Sequence, residues 1–222
     1  MKEFERKIET DLIEYIKIQC EDCCPDFLAN YLIDWLDEYI SSGVTIKNDE
    51  TLQFGFSLLK FSISNTTLYV DGPDYKSIPF EWTRNLTKTL LAFKEQKHTV
   101  ESFELISEYA KLQNTVLVGK EFEKEPVILR RDEPSKNNSN DSGWFIGSLK
   151  EEIDNNDPKN LSVKSLYEVV LKQPKALPYL FFPKNSVIIF ENETIEIIKD
   201  DYTLEPKKNS YAEQIAKNNG YK

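Results

Sequence analysis

The sequence predicts a protein of the α+β class, because helical and strand-like patterns follow one another in blocks rather than in regular alternation. N-terminal helices with an antiparallel meander come first, and a smaller mixed α+β domain follows. The chain has 222 residues, of which 40% are hydrophobic. A chain of this length buries about 70% of its unfolded surface, so a real core is expected.

Two amphipathic helices are predicted at the start of the chain. Residues 3–20 place Phe4, Ile8 and Ile16 on one face at helical spacing. The second helix begins at Pro25 and stops at Gly43. Its apolar stripe consists of Phe27, Leu28, Tyr31, Leu32, Trp35, Leu36 and Ile40.

After Gly43 the apolar period changes from 3.6 to 2, which favours strands. Residues 44–46, 51–62 and 66–70 are predicted to form a meander of about three strands, with turn pairs between them. Helical spacing resumes at Trp82, Leu86, Leu90 and Phe93, and a further helix is predicted through Phe103, Ile106, Tyr109 and Ala110.

A domain boundary is predicted near residue 112, which gives domains 1–112 and 113–222. The second half reads as short strands and helices around one polar loop, residues 130–142. Strands are predicted at 115–118, 126–129 and 144–146, helices at 150–152 and 166–171, a hairpin at 186–198 and a short helix near Tyr211.

The residues that are rare in this chain exclude several functions. His98, the single histidine, lies in a charged stretch and is predicted to be a solvated surface residue, so no multi-histidine metal centre is possible. Cys20, Cys23 and Cys24 are predicted to be partly buried, reduced thiols at the junction of two helices, with a redox pair or a metal site as the less favoured readings. Glycine-rich nucleotide motifs are absent from the sequence. The prediction is therefore no catalytic residue, no metal and no cofactor.

The charge and the apolar runs predict where the protein acts. The net charge of −10 disfavours nucleic-acid binding, and no apolar run approaches the length of a membrane span. A cytoplasmic protein without a membrane partner is expected. Between residues 21 and 50 there are eight acids and one base, Lys47. This acidic face either keeps the protein soluble or suits a basic partner.

One short motif carries a family signal. Strand residues 116–118 are followed by Arg130 and Arg131, an acidic-Pro element, a polar loop and Asp141-Ser142-Gly143-Trp144. Over about residues 113–200 this order resembles immunity protein family thirty-three, the Asp-Ser-Gly-Trp domain of bacterial polymorphic toxin systems. The resemblance implies a non-catalytic protein that binds and neutralises a cognate toxin domain. The candidate partner-binding residues are Arg130, Arg131, Asp141, Ser142, Gly143 and Trp144.

Other readings of the motif remain open. Asp and Ser favour a tight turn, Gly143 permits a positive φ and Trp144 is able to pack beneath, which is a purely structural account. The arginines are predicted first to form a loop-tying ion pair with Asp141, with an anion site as the alternative. A small-molecule or peptide-binding regulatory protein is the alternative function. An enzyme using Glu133, Asp141 and Glu151 ranks last.

Overall fold

A computed structural model describes residues 1–8, 12–192 and 194–218. The chain divides into two compact units, Met1–Lys94 and Glu95–Lys222. This division falls within helix α2 (Thr87–Glu101), earlier in the chain than the predicted boundary near residue 112. Helices make up 25% and strands 34% of the structure, so the predicted α+β class is confirmed.

The first unit contains a six-stranded sheet in the order β1-β2-β5-β4-β3, with β6 paired to β5. All neighbouring strands are antiparallel except β2 and β5, which are parallel. The strands are β1 (Lys2–Lys7), β2 (Tyr15–Cys20), β3 (Thr51–Phe54), β4 (Ser57–Ser64), β5 (Thr67–Pro73) and β6 (Trp82–Thr83).

The helix predicted over residues 3–20 is wrong, because β1 and β2 form an antiparallel pair there. Burial alternates along β2, where Ile16, Ile18 and Cys20 are fully buried. This period of two is the pattern of a strand with one face on the core. Leu12, which lies at helical spacing between Ile8 and Ile16, is 64% exposed. Residues 9–11 of the predicted helix lie outside the described residues.

The second predicted helix is confirmed as α1 (Asp26–Ser41), which follows Pro25 and buries one face against the first sheet. Pro25 has a φ of −61°, which suits the residue before a helix. The buried face consists of Leu28, Ala29, Leu32, Ile33, Leu36 and Ile40. These side chains and the inward residues of β2, β4 and β5 form the core of the unit.

Three further predictions in this half are corrected. Residues 44–46 run as irregular chain, and the single strand predicted over 51–62 is a hairpin of β3 and β4 that turns at Gly55, where φ is +54°. The helix predicted through residues 103–110 is an irregular loop, since α2 ends at Glu101 and Ile106 is 85% exposed. An apolar period with no core to bury it does not make a helix.

The second unit contains a seven-stranded sheet in the order β10-β7-β9-β8-β11-β12-β13, in which only β7 and β9 pair in parallel. The predicted hairpin at 186–198 is confirmed as β11 and β12. The strands are β7 (Thr115–Gly119), β8 (Val127–Arg131), β9 (Asp141–Ser148), β10 (Leu161–Ser165), β11 (Ser186–Glu191), β12 (Thr194–Lys199) and β13 (Tyr202–Thr203).

Helix α3 (Leu166–Lys172) and a 3-10 helix (Pro174–Tyr179) contribute buried residues to the second unit, namely Leu166, Tyr167, Val169, Val170 and Ala176. The prediction of a helix at 166–171 and of a short last helix is confirmed, the latter as α4 (Tyr211–Asn218). The helical start predicted at Lys150 is a turn. Among the described residues, no helix combines the length and the apolar character that a membrane span requires.

Candidate functional site

The Asp-Ser-Gly-Trp motif forms the first half of β9 and is held by a set of local hydrogen bonds. Asp141 Oδ1 accepts from the Gly143 amide at 3.1 Å, and Oδ2 accepts from the Ser135 amide at 2.7 Å. Ser142 Oγ donates to the Thr115 carbonyl of β7 at 2.7 Å. The motif therefore fixes the end of the polar loop and joins it to the neighbouring strand.

Gly143 is the position in the motif where no other residue fits. Its φ is +74°, and a Cβ there would lie 2.3 Å from the Asp132 carbonyl oxygen. The same close approach allows the Asp132 amide to donate to the Gly143 carbonyl at 2.9 Å. Glycine thus lets the two ends of the polar loop meet directly.

Trp144 and Arg131 point into the interior of the second unit. Trp144 is 2% exposed, and its Nε1 donates to the Leu180 carbonyl at 3.3 Å. Arg131 is 4% exposed and donates from Nη1 to the carbonyls of Glu108 and Phe182. Its guanidinium lies 5.6 Å from the Trp144 ring. Burial lowers the pKa of Arg131, but an arginine stays charged in proteins.

Arg130 lies on the opposite face of the same strand, with a side chain that is 53% exposed. It pairs with Asp132 at 3.0 Å and lies over the Phe145 ring at 5.6 Å. The ion pair predicted with Asp141 is therefore replaced by one with Asp132. Of the six candidate residues, Arg131, Ser142 and Trp144 are buried, while Arg130 is exposed and Asp141 and Gly143 are half-buried. Their role in partner binding stays a prediction.

A row of outward side chains crosses six strands of the second sheet and has Arg130 near its centre. The strand register pairs each member directly with the next one, so their side chains stand side by side on one face. We call this set the outer row, and its members in order are Val163, Leu117, Phe145, Arg130, Val187 and Ile198. Val163 is 65% exposed and Leu117 is 39% exposed. The outer row is thus an apolar surface with one cation.

A hollow of about 460 Å³ lies on this face. Its lining residues are Leu117, Ile128, Arg130, Phe145, Leu149, Asn155, Asn156 and Leu161. The Asn155 side chain closes the hollow and lies against Gly119 and Gly147. A Cβ on Gly119 would lie 2.6 Å from Asn155 Oδ1, and a Cβ on Gly147 would lie 2.8 Å from the same atom. This lining suits apolar contact and one charge-assisted hydrogen bond from Arg130.

The three cysteines are free thiols in the structure. Cys20 and Cys24 are buried, and desolvation raises the pKa of Cys20 and raises that of Cys24 to about 12. A thiol at such a pKa is protonated at neutral pH and is a poor nucleophile. Throughout the described residues, no three His, Cys, Asp or Glu side chains come together in a group able to hold a metal ion.

His98, Glu133 and Asp141 are engaged in structural contacts, whereas Glu151 is exposed. His98 lies half-exposed at the end of α2, where its Nδ1 is 3.2 Å from the Glu101 carboxylate. Glu133 pairs with Lys184 at 2.6 Å, and Lys184 holds the pKa of Glu133 below its usual range. Asp141 is occupied by backbone amides. These contacts tie loops together and bring no acid–base pair to the hollow.

Part of the second unit matches a known domain family. Residues 95–201 match the model of the Imm33-like domain family, so the resemblance predicted from the motif is confirmed. The match begins at the residue where the second compact unit begins.

Two other comparisons add little. The chain is similar to cytoplasmic dynein 1 light intermediate chain 1 of Dictyostelium discoideum, with 28% identity over 167 residues, which are 74% of this chain and 29% of that protein. The chain thus spans less than a third of that relative, and this low similarity does not assign it to a dynein family. No solved structure matches the chain.

Reasoning from the sequence missed the outer row, although a signal for it was present. Residues 116–118 and 187–189 are apolar without interruption, whereas a strand with one solvated face alternates between apolar and polar residues. Because the inner members of these runs fill the core, the outer members are left as an apolar surface that is exposed at Leu117 and half-buried at Val187 and Ile189.

Proposed function

We propose that the protein binds and neutralises a cognate bacterial toxin domain without catalysis, and that the outer row is its contact surface. The observation that carries the proposal is the apolar outer row, which is exposed at Val163, Leu117 and the central Arg130 and lies within the residues that match the Imm33-like family. We expect the protein to act in the bacterial cytoplasm, with no nucleic-acid or membrane partner.

The composition of the outer row suits a protein interface. Aromatic residues and arginine are enriched at the energetically dominant positions of interfaces, and contiguous exposed apolar surface marks interaction sites. Phe145 supports the Arg130 guanidinium, so less side-chain entropy is lost when Arg130 meets a carboxylate or carbonyl of a partner. The buried members of the motif hold β8 and β9 in register beneath these two residues.

Overall charge is expected to act on the rate of association. The chain carries a net charge of −10, and secreted nuclease toxins are commonly basic. Attraction between opposite net charges raises the association rate at low salt, and salt screens it. We therefore expect the association rate with a basic toxin to fall as the salt concentration rises.

The test is co-expression with the toxin domain encoded beside this gene, followed by measurement of survival and co-purification. The wild type is expected to rescue growth and to form a one-to-one complex. Leu117→Asp combined with Arg130→Ala is expected to abolish rescue, because it places a charge in the apolar row and removes its cation. The matched control is Tyr202→Asp with Lys124→Ala, since Tyr202 is 75% exposed and the Lys124 side chain is 60% exposed elsewhere in the same unit.

If the variant with Leu117→Asp and Arg130→Ala rescues growth at the wild-type level, the outer row is not the surface that contacts the toxin. Failure of the wild type against the adjacent toxin domain and against a panel of such domains would remove toxin neutralisation itself.

A small-molecule or peptide-binding regulatory role is the second candidate, and the hollow of about 460 Å³ favours it because this volume suits a small ligand. Native mass spectrometry of the purified protein tests this role. A bound molecule lost in Phe145→Ala would support it, whereas an unliganded mass together with toxin rescue would exclude it.

A further inference from the structure

One side of α1, in the first unit, carries four aromatic residues in a continuous line, of which the last two also pack against the core. Phe27, Tyr31, Trp35 and Tyr39 are spaced four residues apart, so they follow one another along the helix surface. Phe27 is 57% exposed and Tyr31 is 43% exposed, while Trp35 and Tyr39 are half-buried. The line spans about 18 Å of helix, at 1.5 Å per residue.

These rings are held in place by a rigid base. Trp35 and Tyr39 stack with centroids 5.9 Å apart and planes at 15°, and Tyr31 stacks on Phe93 at 5.7 Å and 18°. Phe54 is 4% exposed and contacts Trp35 and Phe93 with centroid distances of 5.5 and 4.7 Å. The exposed ring faces therefore lose little conformational entropy when a partner covers them.

Carboxylates accompany the aromatic line, and α1 contains no basic residue. Asp26 and Asp34 are paired with Lys2 and Arg6 of β1. Asp37 and Glu38 have no basic partner among the described residues, and Ser41 Oγ lies 3.4 Å from Asp37. Glu38 is exposed and follows Trp35 by three residues and Tyr31 by seven, so it lies on the same face of the helix as these two rings.

We propose that this face of α1 docks a basic segment of a protein partner, in which an arginine or lysine lies on the Tyr31 and Trp35 rings and pairs with Glu38. Aromatic faces attract cations through their quadrupole, and arginine in particular stacks on them. An acidic face without aromatic rings would act only on the rate of association. The line of rings adds fixed apolar contact over a length that a single small cation does not cover. This inference is independent of the proposed toxin neutralisation, because it concerns the other unit.

The test uses the full chain and a fluorescein-labelled twelve-residue peptide with four arginines and two leucines, measured by fluorescence anisotropy. A peptide with glutamate in place of each arginine is the probe control. We expect the arginine peptide to bind and the glutamate peptide not to bind.

Two kinds of variant separate the contributions of charge and ring. Glu38→Gln is expected to weaken binding about threefold and to reduce its salt dependence. Tyr31→Ser is expected to weaken binding about threefold while leaving the salt dependence unchanged. Phe27→Ser, at the most exposed ring, gives a second aromatic variant should Tyr31→Ser fail to fold. Glu151→Gln, at an exposed acid of the second unit, is the charge-matched control and is expected to bind like the wild type.

Three results would overturn the inference. The first is equal binding of the two peptides, and the second is an equal loss in Glu151→Gln and Glu38→Gln. The third is a chain that sediments as a dimer and becomes a monomer in Phe27→Ser, which would assign the aromatic line to contact between copies of the chain.

Discussion

Each face of the second sheet carries an arginine beside an aromatic ring, but the two pairs differ in burial and in hydrogen-bond partners. On the inner face Arg131 stacks near Trp144 and donates to the backbone carbonyls of Glu108 and Phe182. On the outer face Arg130 lies over Phe145 and pairs with Asp132 in contact with solvent. Each pair has an arginine 5.6 Å from an aromatic ring, and the strand pleat alone decides which is interior. The inner pair is expected to govern stability and the outer pair recognition.

The largest expected effect is that of Trp144→Ala, which removes a fully buried indole and leaves the Leu180 carbonyl with only the 3.5 Å contact from Arg131 Nη1. We expect a loss of about 4 kcal/mol in the free energy of unfolding. Urea denaturation followed by circular dichroism measures it. Phe145→Ala on the outer face is the paired variant. An equal loss in its free energy of unfolding would contradict the assignment of stability to the inner face.

Arg131→Met is expected to cost about 3 kcal/mol in the free energy of unfolding, because buried carbonyl groups lose their donor. Arg130→Met is expected to change the free energy of unfolding by about 0.5 kcal/mol, since exposed ion pairs contribute little. Thermal and urea unfolding of both variants check this. Similar losses would show that the inner arginine is no more structural than the outer one.

Gly143→Ala is expected to cost about 2 kcal/mol in the free energy of unfolding, since positive φ is unfavourable for alanine and the new Cβ would approach the Asp132 carbonyl. Gly43→Ala is the matched control, because Gly43 has a φ of +93° but open space around its Cβ position. The difference between the two variants in urea unfolding measures the contribution of the close approach alone. A cost at Gly143 no greater than at Gly43 would contradict it.

The smallest expected effect concerns Glu168, which forms a capping box with Ser165 at the start of α3. Hydrogen bonds from Ser165 hold the pKa of Glu168 below its usual value of 4.5. The carboxylate therefore contributes stability above pH 4.5 that is lost as the pH falls through the lowered pKa of the folded state. Glu168→Ala should cost about 1 kcal/mol at pH 7 and less below pH 4. A pH-independent cost in urea unfolding would contradict this origin.

The elements that could be predicted from the sequence are those that bury apolar residues of the predicted pattern in a core. Helix α1, helix α3 and the β11–β12 hairpin were predicted because part of each apolar pattern is buried in the structure, although Phe27 and Tyr31 of the predicted α1 stripe are exposed. The prediction for residues 3–20 was wrong because Phe4, Ile8 and Ile16 also fall at helical spacing. In the structure, pairing between β1 and β2 satisfies the backbone hydrogen-bonding groups of this segment instead. Tertiary pairing of this kind overrides a local pattern.

The sequence located the candidate site along the chain but did not show which of its side chains lie on the inner face of the sheet. The sequence singled out β8 and β9, yet the side on which Arg130 and Arg131 lie follows from strand register, which depends on pairing with β11. The partner of Arg130 is Asp132 rather than Asp141, because Asp141 is taken by the amides of Ser135 and Gly143. Hydrogen bonds to the backbone of a loop cannot be deduced before the path of that loop is known.

The alternation along β7, β9 and β8 has a consequence for how this domain diversifies. Substitutions at Leu117, Phe145 and Arg130 alter the outer surface while the interior packing of their chain neighbours stays the same. A lineage is therefore free to exchange one set of contacts for another without rebuilding the fold. Insertion of a single residue in β8 would instead swap the two arginines between faces and disturb both at once.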